Sequence, residues 1–435
     1  MFSGIADLMK RFTELGAERA FCKPLAENDN SKQQIYLGGS LEVVQMFPFR
    51  EIEATENGKD STYKAKLDFF WVGKDFTERA KGTQLILYPQ YPEVRLSGFL
   101  RGCKRAPNES LRPTPKELRH FNNGPDGRVL FFGITKNGET LAYVANADSP
   151  LAEEFRYKNA QGQYSKENLF FNLPLWGRDS KTILLERLAE IRNGGWQPSI
   201  RLSKTGEVLQ YKARNGGGLT LEALLGIIPN SRSEPDFMGW ELKAYSSSRR
   251  ITLMTPEPDG GMYGAAGVKA FVRKFGVPTG DDTLYFTGTH RVNNRNAKTG
   301  LTLAVRGFNP TKRLIEDVGG AVELLTDTGL CAAAWSFGDL MIGWNKKHAQ
   351  AAYVPYESEK IAAPGYRYFS PALLGEGTDL TRYLAGLCEG QVIFDPGSKV
   401  MKASTAKPTV KARSQFRTSV KHLEGLYKNF GPVEF

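Results

Sequence analysis

The sequence predicts a multidomain protein, with an N-terminal all-β barrel followed by a C-terminal mixed α/β domain. The chain has 435 residues, a length that suggests two or three domains. From residue 33 to 146, short apolar runs alternate with turns rich in Gly, Pro, Asn and Asp, which is typical of a β-barrel or sandwich. Beyond residue 180, strand-like and helix-like patterns alternate, as they do in mixed α/β domains.

The predicted barrel domain covers residues 1–150 and begins with a helix. Apolar side chains recur there at helical spacing: Ile5, Leu8, Met9, Phe12 and Leu15. The strand-like runs that follow include QQIYLGG, AKLDFFWVG, TQLILYP, VRLSGFL, RVLFFGIT and TLAYVAN. Between the last two, Lys136-Asn137-Gly138 suits a hairpin turn. Residues 151–180 are polar and aromatic without a clear period, so we predict a linker there.

The predicted α/β domain covers residues 181–435. A helix over 181–192 ends at Asn193-Gly194-Gly195, and a hairpin follows, formed by SIRLS and VLQYKA. Three glycines, Gly216–Gly218, then precede a second helix over 219–228. The last 40 residues, 396–435, are rich in Lys, Ser and Thr and form a basic C-terminal tail. This tail is either a solvated segment with a terminal helix or a phosphate-contacting arm, and the sequence favours neither.

Composition and charge exclude several classes of protein. The 58 basic and 47 acidic residues give a net charge of +11, of which residues 1–180 carry +2 and the remainder +9. A basic C-terminal portion suggests a polyanionic partner. We find neither an apolar run of about 20 residues nor a secretory signal, so we expect a cytoplasmic protein without a membrane partner. Four cysteines without a CxxC pair and four histidines without HExxH argue against a disulfide scaffold and against a Cys- or His-rich metal site.

The residues that carry chemistry stand in the run PDFMGWELKAY. On a strand, Glu241 and Lys243 point to one face while Leu242 points to the apolar core, so we expect the two charged groups to face a cleft. The carboxylates of Asp236 and Glu241, with the carbonyl of Leu242, suit a hard cation such as Mg²⁺. Lys243 could orient or deprotonate a water and stabilise developing charge, as phosphodiester hydrolysis requires. The alternative is an ordinary ion pair on an exposed strand.

Neighbouring residues support the catalytic interpretation. Glu222 on the helix after the glycines could complete a metal site. Asn215 and the glycines would let backbone approach a phosphate closely. Arg249 and Arg250 directly follow the strand and suit phosphate contacts.

The stretch GGLTLEALLGI, PDFMGWELKAY and ITLMTPEP resembles the MvaI/BcnI family of restriction endonucleases, within the PD-(D/E)xK nuclease superfamily. The resemblance extends roughly from residue 183 to 399. It implies a PD-(D/E)xK fold for the C-terminal domain, with Asp236, Glu241 and Lys243 as catalytic triad and Glu222 as helix carboxylate of the active site. It also implies a short, G·C-rich, nearly palindromic DNA target bound by a monomer.

A polar loop within residues 287–306 is the candidate for reading bases. It carries His290, Arg291, Asn293, Asn294 and Arg295 between two strand-like runs. Arginine can bind guanine edges and asparagine suits adenine, although the same residues are also turn formers in an ordinary polar hairpin. Further on, we expect the Trp344–His348 segment to contribute to the cleft wall, with His348 itself at the surface.

The N-terminal run KPLAENDNSKQQIYLGGSLEVVQMFPF resembles the opening of the EcoRII effector DNA-binding domain, a pseudobarrel. That resemblance implies a second DNA-reading module and includes Lys23 and Asn28. Basic residues between aromatic ones can line a nucleic-acid surface, and Arg101, Lys104 and Arg105 follow Tyr88 and Tyr91. The alternative is a structural or protein-interaction domain.

Together these observations predict a Mg²⁺-dependent, sequence-specific endonuclease acting on double-stranded DNA in restriction or phage defence. Its N-terminal domain would bind a second copy of the site or a modified base. A DNA methyltransferase acting on the same site would be the natural partner. The alternatives are a catalytically degenerate DNA-binding protein and an RNA- or protein-interacting scaffold.

Overall fold

The computed structural model describes residues 2–57, 61–175, 179–213, 216–228, 235–246, 250–359 and 364–435. The chain divides into two compact units. The first comprises Met1–Glu53, Thr62–Glu190 and Asp236–Gly239, and the second comprises Ala54–Ser61, Ile191–Pro235 and Trp240–Phe435. Within the described parts of the chain, none of the helices combines the length and apolarity that a membrane crossing requires.

The first unit contains helices and short strands. The helices are α1 (Ile5–Glu14), α2 (Pro150–Ala160) and α3 (Ser180–Asn193), the last of which runs to the boundary of the unit. The strands are β1 (Ala17–Ala26), β2 (Gln34–Gly38), β3 (Ile52–Thr55), β4 (Thr62–Lys66), β5 (Asp68–Val72), β6 (Thr77–Ala80), β7 (Gln84–Tyr88), β8 (Glu93–Ser97), β9 (Pro125–Thr135), β10 (Glu139–Ala145), β11 (Lys166–Glu167) and β12 (Phe170–Leu173).

These strands form two sheets. A seven-stranded sheet has the order β11-β12-β1-β9-β10-β5-β6, and a five-stranded sheet has the order β2-β8-β7-β4-β3. Strands β10 and β5 pair in parallel, whereas β9 and β10 form the antiparallel hairpin expected at Lys136-Asn137-Gly138. Gly138 has φ +81°, the left-handed conformation that such a turn needs.

Buried apolar side chains cover both faces of the central strands of the seven-stranded sheet. Helices α1 and α2 supply Phe12 and Phe155 to the apolar cluster on one face. Four phenylalanines pack edge to face or tilted elsewhere in the unit's core: Phe21, Phe47, Phe132 and Phe170. The structure thus corrects the predicted linker at 151–180, because α2 and β12 lie inside the unit. The sequence does not reveal these two elements, because their apolar runs are short and lack a strong period.

The second unit has a larger set of elements. Its helices are α4 (Gly216–Leu224), α5 (Gly261–Phe275), α6 (Phe337–His348) and α7 (Leu380–Cys388). Its strands are β13 (Gln197–Pro198), β14 (Ile200–Leu202), β15 (Val208–Gln210), β16 (Glu241–Tyr245), β17 (Ile251–Met254), β18 (Val277–Thr279), β19 (Thr283–Thr287), β20 (Thr302–Arg306), β21 (Phe308–Asn309), β22 (Leu314–Ile315), β23 (Ala321–Leu325), β24 (Cys331–Ser336), β25 (Gln350–Ser358), β26 (Gly365–Tyr368), β27 (Ala372–Glu376), β28 (Val392–Phe394), β29 (Gly397–Met401), β30 (Thr409–Lys411), β31 (Phe416–Thr418) and β32 (Asn429–Val433).

The sheet that positions the candidate site has the order β13-β26-β25-β27-β32, with β16 paired to β25. Strand β16 runs parallel to β25, so that Glu241 lies opposite Ala351 and Lys243 opposite Tyr353. Helix α6 ends at His348 and leads directly into β25, and helix α4 packs against β16. Smaller sheets form around this one, including β20-β23-β24, β17-β31-β28 and β18-β19-β29-β30.

Helix α4 begins earlier than predicted, because the glycines form its first turn instead of preceding it. A Cβ atom on Gly217 would lie 2.6 Å from the ring of Tyr356, and one on Gly216 would lie 2.7 Å from the hydroxyl of Ser199. Glycine therefore lets the start of this helix approach β25 closely. The tight approach, not the poor helix propensity of glycine, decides the local structure.

The segment 396–435 is not a tail. It contributes β29 to β32 to three different sheets, and Phe416 packs edge to face on Trp335 at 5.2 Å between ring centroids. Its basic side chains are exposed at Lys402, Lys407 and Lys411, around the β29–β30 hairpin. The alternation of apolar residues in the short strands was masked by the Lys- and Ser-rich turns between them.

Candidate active site

Strand β16 carries Glu241 and Lys243 at the candidate site. Glu241 is only 1 % exposed, whereas the Lys243 side chain is 23 % exposed. The sequence predicted that both would face outward into a cleft, and this is wrong for the carboxylate. Because β25 pairs with β16 and helix α4 packs against it, Glu241 is buried at the start of the strand.

The buried carboxylate is neutralised by two lysines. Lys243 Nζ donates to Glu241 Oε1, and Lys347 Nζ, from the last turn of α6, lies 3.3 Å from Glu241 Oε2. Burial alone would raise the pKa of Glu241, but the charges of Lys243 and Lys347 outweigh burial and hold this pKa below its ordinary value. Glu241 is therefore an ionised carboxylate in an interior position, the state that a metal ligand must have.

A chain of buried hydrogen bonds extends from the residue next to Lys347. His348 Nε2 lies 3.0 Å from the carbonyl oxygen of Leu253, and its Nδ1 lies 2.9 Å from the Tyr427 hydroxyl. The Tyr427 hydroxyl in turn lies 2.8 Å from that of Tyr353, the residue opposite Lys243 on β25. His348 is fully buried, so the expectation of a surface histidine is wrong.

Geometry fixes the direction of this chain. A backbone carbonyl only accepts, so Nε2 of His348 carries the proton. Burial, helped by the charge of Lys243, lowers the pKa of His348 to about 3, so the ring is neutral and its Nδ1 accepts from Tyr427. Tyr353 then donates to Tyr427. The indole of Trp344 stacks on His348 with centroids 4.1 Å apart, which fixes the last turn of α6 further.

Glu222 lies on α4, the helix that packs against β16, and is half-buried. Close by, the Tyr368 hydroxyl donates to the carbonyl of Gly217 at 2.7 Å. Burial chiefly, with a smaller contribution from Glu222, raises the pKa of Tyr368. Helix α4 thus packs against β16, whereas the predicted approach of the Glu222 carboxylate to this strand and its part in catalysis stay predictions.

The turn before β16 contains Asp236, which is half-buried. Met238 and Gly239 have φ +47° and +91°, so the chain turns sharply just before the strand begins. Residues Asp236–Gly239 belong to the first unit and Trp240 onward to the second. The catalytic role of Asp236 stays a prediction, and the predicted phosphate contacts Asn215 and Arg249 lie outside the described residues.

Metal binding by this site would use oxygen donors. Among the residues that the structure describes, there is no cluster of three or more His, Cys, Asp or Glu side chains suited to a metal ion. The ionised carboxylate of Glu241 and the backbone carbonyl of Leu242 are nevertheless the ligand types that Mg²⁺ prefers, and Mg²⁺ retains several waters. The donor chemistry therefore fits the predicted cation.

The polar loop between β19 and β20 presents some of its predicted residues and buries another. Arg291 and Asn293 are exposed, and Asn293 has φ +61°. Asn294 and Arg295 are exposed too, but Arg295 binds both carboxylate oxygens of Asp327 at 2.7 and 2.8 Å.

His290 corrects the prediction for this loop. It is fully buried, its Nε2 lies 2.8 Å from the Thr299 hydroxyl, and its ring stacks on Phe286. Burial lowers the pKa of His290 to about 4. The ring therefore supports the base of the loop and is not presented to a ligand.

Arg250 is held at the foot of the same loop. Its guanidinium donates to the Thr289 hydroxyl at 3.0 Å and to Asp395 at 3.2 Å. Arg417 shares the carboxylate of Asp395 at 2.8 Å and also donates to the carbonyl of Arg250. Arg250 remains exposed, so this network orients a cation that solvent and ligands can reach.

In the first unit, too, one predicted DNA contact is buried and the others are exposed. Lys23 is 3 % exposed and pairs with Asp29 at 2.5 Å, so it is a structural ion pair and not a surface cation as predicted. Asn28 is exposed. Arg101, Lys104 and Arg105 are exposed on one segment.

The carboxylate of Glu78 binds the backbone of that exposed basic segment. The backbone amides of Lys104 and Arg105 donate to Glu78 at 2.7 and 2.6 Å. The guanidinium of Arg105 also lies over the ring of Phe76, at 5.1 Å from its centroid. The three basic side chains are thus presented from an ordered turn.

Sequence reasoning did not identify the roles of Tyr353 and Tyr427. Both are ordinary aromatic residues in their local sequence, and their partners lie 74 and 79 residues away in the chain. The sequence places Lys347 in the expected cleft wall but does not predict its ion pair with Glu241. The local sequence shows only that Lys346, Lys347 and His348 stand in the last turn of α6, where basic residues suit the helix dipole.

Comparison with known proteins identifies the second unit. The sequence model of the MvaI/BcnI restriction endonuclease family matches residues 185–427, more than half of the chain. No curated protein matches the sequence. The chain is similar to the structure of the restriction endonuclease MvaI–cognate DNA substrate complex, at 18% identity and a TM-score of 0.47, over 59% of this chain and 98% of that one.

The structure of MvaI in the absence of DNA is similar over the same shares of the two chains, at 17% identity and a TM-score of 0.34. The matched range contains the positions of Glu222, Glu241, Lys243 and Lys347. The chain therefore belongs to the MvaI/BcnI restriction endonuclease family and is a type II restriction endonuclease.

Proposed function

We propose that this endonuclease hydrolyses phosphodiester bonds in double-stranded DNA with Mg²⁺ as cofactor, and that Glu241 and Lys243 form the centre of its active site. The observation that carries the proposal is the buried, ionised Glu241 beside a partly exposed lysine on one strand of the family-matched region. An ion pair on an exposed strand, the alternative to a catalytic site, does not bury its carboxylate to 1 % exposure.

The residues divide the chemistry between them. Glu241 and the Leu242 carbonyl would hold Mg²⁺, with Asp236 and Glu222 as the further carboxylates that the family resemblance implies. When bound, the ion would polarise a phosphate oxygen and acidify a water. Lys243 keeps part of its side chain accessible, so its ammonium can orient the attacking water or stabilise charge that develops on the phosphate.

The DNA-binding surface would include the loop after β19. Arg291 and Asn293 are exposed and suited to base edges, and Arg250 is suited to the backbone. Arg295 and Asn294 are weaker candidates, because Arg295 is committed to Asp327 and the Asn294 amide donates to a backbone carbonyl at 3.2 Å.

For the first unit we propose a DNA-recognition role. Its two sheets are compatible with the predicted pseudobarrel, and its exposed cations at Arg101, Lys104 and Arg105 offer phosphate contacts. This unit would sense a second copy of the site or a modified base. The second unit would adopt the PD-(D/E)xK arrangement. The enzyme would act as a cytoplasmic monomer in phage defence, beside a methyltransferase that protects the same site.

The test is cleavage of unmodified and cytosine-modified phage DNA, with Mg²⁺ or with EDTA. We expect discrete fragments that depend on Mg²⁺, and we expect Lys243→Ala to cleave at least about 100-fold more slowly while binding DNA normally. Lys312→Ala makes the same substitution at an exposed lysine and serves as the matched control.

Other results would point elsewhere. Undiminished cleavage by Lys243→Ala would reject the mechanism. Binding of DNA without cleavage of either substrate would favour a catalytically degenerate DNA-binding protein, and an absence of DNA binding would favour the scaffold. Cleavage of only one of the two substrates would support a modification-sensing role of the first unit.

A further inference from the structure

Both oxygens of the Glu241 carboxylate are already occupied by cations of the chain. Lys243 holds Oε1 from the same strand, and Lys347 holds Oε2 from the end of α6. A metal ion that uses this carboxylate must therefore bind an oxygen that a lysine ammonium already contacts. Two like charges beside one ligand oxygen repel each other, so metal binding and the two ion pairs compete.

The weaker of the two ion pairs belongs to Lys347. Its Nζ lies 3.3 Å from Oε2, which is longer than the contact of Lys243 with Oε1. Its side chain is 27 % exposed, so the ammonium is already partly hydrated and can move toward solvent or a phosphate. Lys243, in contrast, is tied to Glu241 by their common strand and is needed beside the metal in the proposed mechanism.

We propose that Lys347 is a resident counter-ion of Glu241, which the metal ion displaces from Oε2 when it binds. This inference rests on the proposed metal-dependent function. Before metal arrives, Lys347 lowers the cost of a buried carboxylate. Once released, its ammonium is close to the reacting centre and available to a DNA phosphate.

The surroundings of Lys347 favour movement of its side chain alone. The next residue, His348, is bound on both ring nitrogens, by the Leu253 carbonyl and the Tyr427 hydroxyl, and it stacks on Trp344. The backbone at the end of α6 is therefore fixed on the buried side. The lysine side chain is the mobile part of an otherwise rigid position.

The experiment is calorimetric titration of the full chain with Ca²⁺ alone, without DNA. Because displacement of a charge-assisted hydrogen bond opposes binding, we expect Lys347→Met to bind Ca²⁺ about tenfold more tightly than wild type. Lys347→Arg keeps the charge and should bind like wild type, as should the control Lys312→Met. The rise of Tm on adding Ca²⁺ should also be larger for Lys347→Met, because tighter binding to the folded state stabilises it more.

The outcomes separate the two proposals. A merely structural lysine would leave Ca²⁺ affinity unchanged or weaken it on replacement, and either result for Lys347→Met would overturn the displacement. Glu241→Gln reports on the metal site itself. If Glu241→Gln binds Ca²⁺ like wild type, the metal site of the proposed function fails; if it loses binding while Lys347→Met matches wild type, only the displacement fails.

Discussion

At the scale of single residues, burial determines which ionisable groups of the second unit carry charge. Glu241 stays ionised inside the protein because two lysines compensate for lost hydration. Burial lowers the pKa values of His348 and His290 to about 3 and about 4, although the carboxylates of Glu241 and Asp395 act in the opposite direction. Uncharged histidines and a charged carboxylate therefore coexist in the interior of one unit, each in the state that its neighbours favour.

This state of the histidines predicts an acid-sensitive stability. In the unfolded chain both titrate near 6.5, so below that pH the unfolded state binds protons that the folded state does not. Stability is therefore fully present above pH 6.5 and falls as the pH falls toward 4. Between pH 6.5 and 5 we expect a slope that approaches about 1.4 kcal/mol per pH unit for each histidine. Urea unfolding followed by tryptophan fluorescence at several pH values measures it.

A matched variant isolates one of the two groups. His348→Gln removes one titration, so its free energy of unfolding should depend on pH about half as steeply as that of wild type between pH 6.5 and 5. The variant is also expected to be less stable at pH 7 by about 1–3 kcal/mol, because it disturbs two buried hydrogen bonds. An unchanged slope would show that His348 is not buried in its neutral form.

The sequence predicts the chemistry of these residues better than their environment. The E-x-K pattern identifies Glu241 and Lys243, because strand alternation is a local property. It does not reveal that Glu241 is buried, since this depends on β25, more than 100 residues further along the chain. The environment of His348 was missed for the same reason, because Leu253 and Tyr427 are distant in sequence.

At the scale of elements, the loop between β19 and β20 is organised by Asn296. Its Oδ1 accepts from the amides of Lys298 and Thr299 at 3.0 and 3.1 Å, and its Nδ2 donates to the Thr289 carbonyl at 2.8 Å. The hydrogen bonds of this one side chain therefore hold the loop in a defined conformation. The local sequence predicts a turn here, and the structure shows which side chain closes it.

Asn296→Ala should weaken DNA binding without removing a DNA contact. Loss of the loop's conformation should reduce affinity by roughly 1–3 kcal/mol, comparable with loss of one base-contacting arginine. Fluorescence anisotropy of a labelled cognate duplex in Ca²⁺ measures this. Arg295→Ala is the control. Because Arg295 already binds Asp327, its replacement should reduce DNA affinity only slightly. Equal losses in the two variants would contradict this account of the loop.

Elements were predicted well where apolar periodicity is strong and poorly where tertiary contacts decide. The β9–β10 hairpin follows from its turn residues, and helix α3 follows from the spacing of its apolar residues. In contrast, the start of α4 depends on the fit of Gly217 against Tyr356. The strands of the last 40 residues depend on partners throughout the second unit.

At the scale of the whole molecule, positive charge is distributed unequally within the first 180 residues. Residues 101–121 hold six of the 25 basic residues there and two of the 23 acidic ones, so the rest of this part carries a negative surplus. The same segment exposes Phe121 fully and Leu118 to two thirds. A nucleic acid approaching the first unit would therefore be attracted to this segment and repelled elsewhere.

This distribution predicts how the first unit contributes to DNA binding. Each phosphate contact adds about 0.9 to the slope of log affinity against log salt concentration, so a triple variant Arg101→Ala, Lys104→Ala, Arg105→Ala should lower that slope by up to about 3. On DNA with one recognition site, cleavage should change little, since Lys243 and Lys347 are intact. If the first unit senses a second site, the variant should lose any preference for two-site over one-site plasmids.

A charge-matched comparison is the second triple variant in the same segment, Arg112→Ala, Lys116→Ala, Arg119→Ala. A wild-type salt slope in the first triple variant would exclude these three cations from the DNA interface, and a lower slope with an unchanged two-site preference would make the first unit a general DNA anchor instead of a sensor.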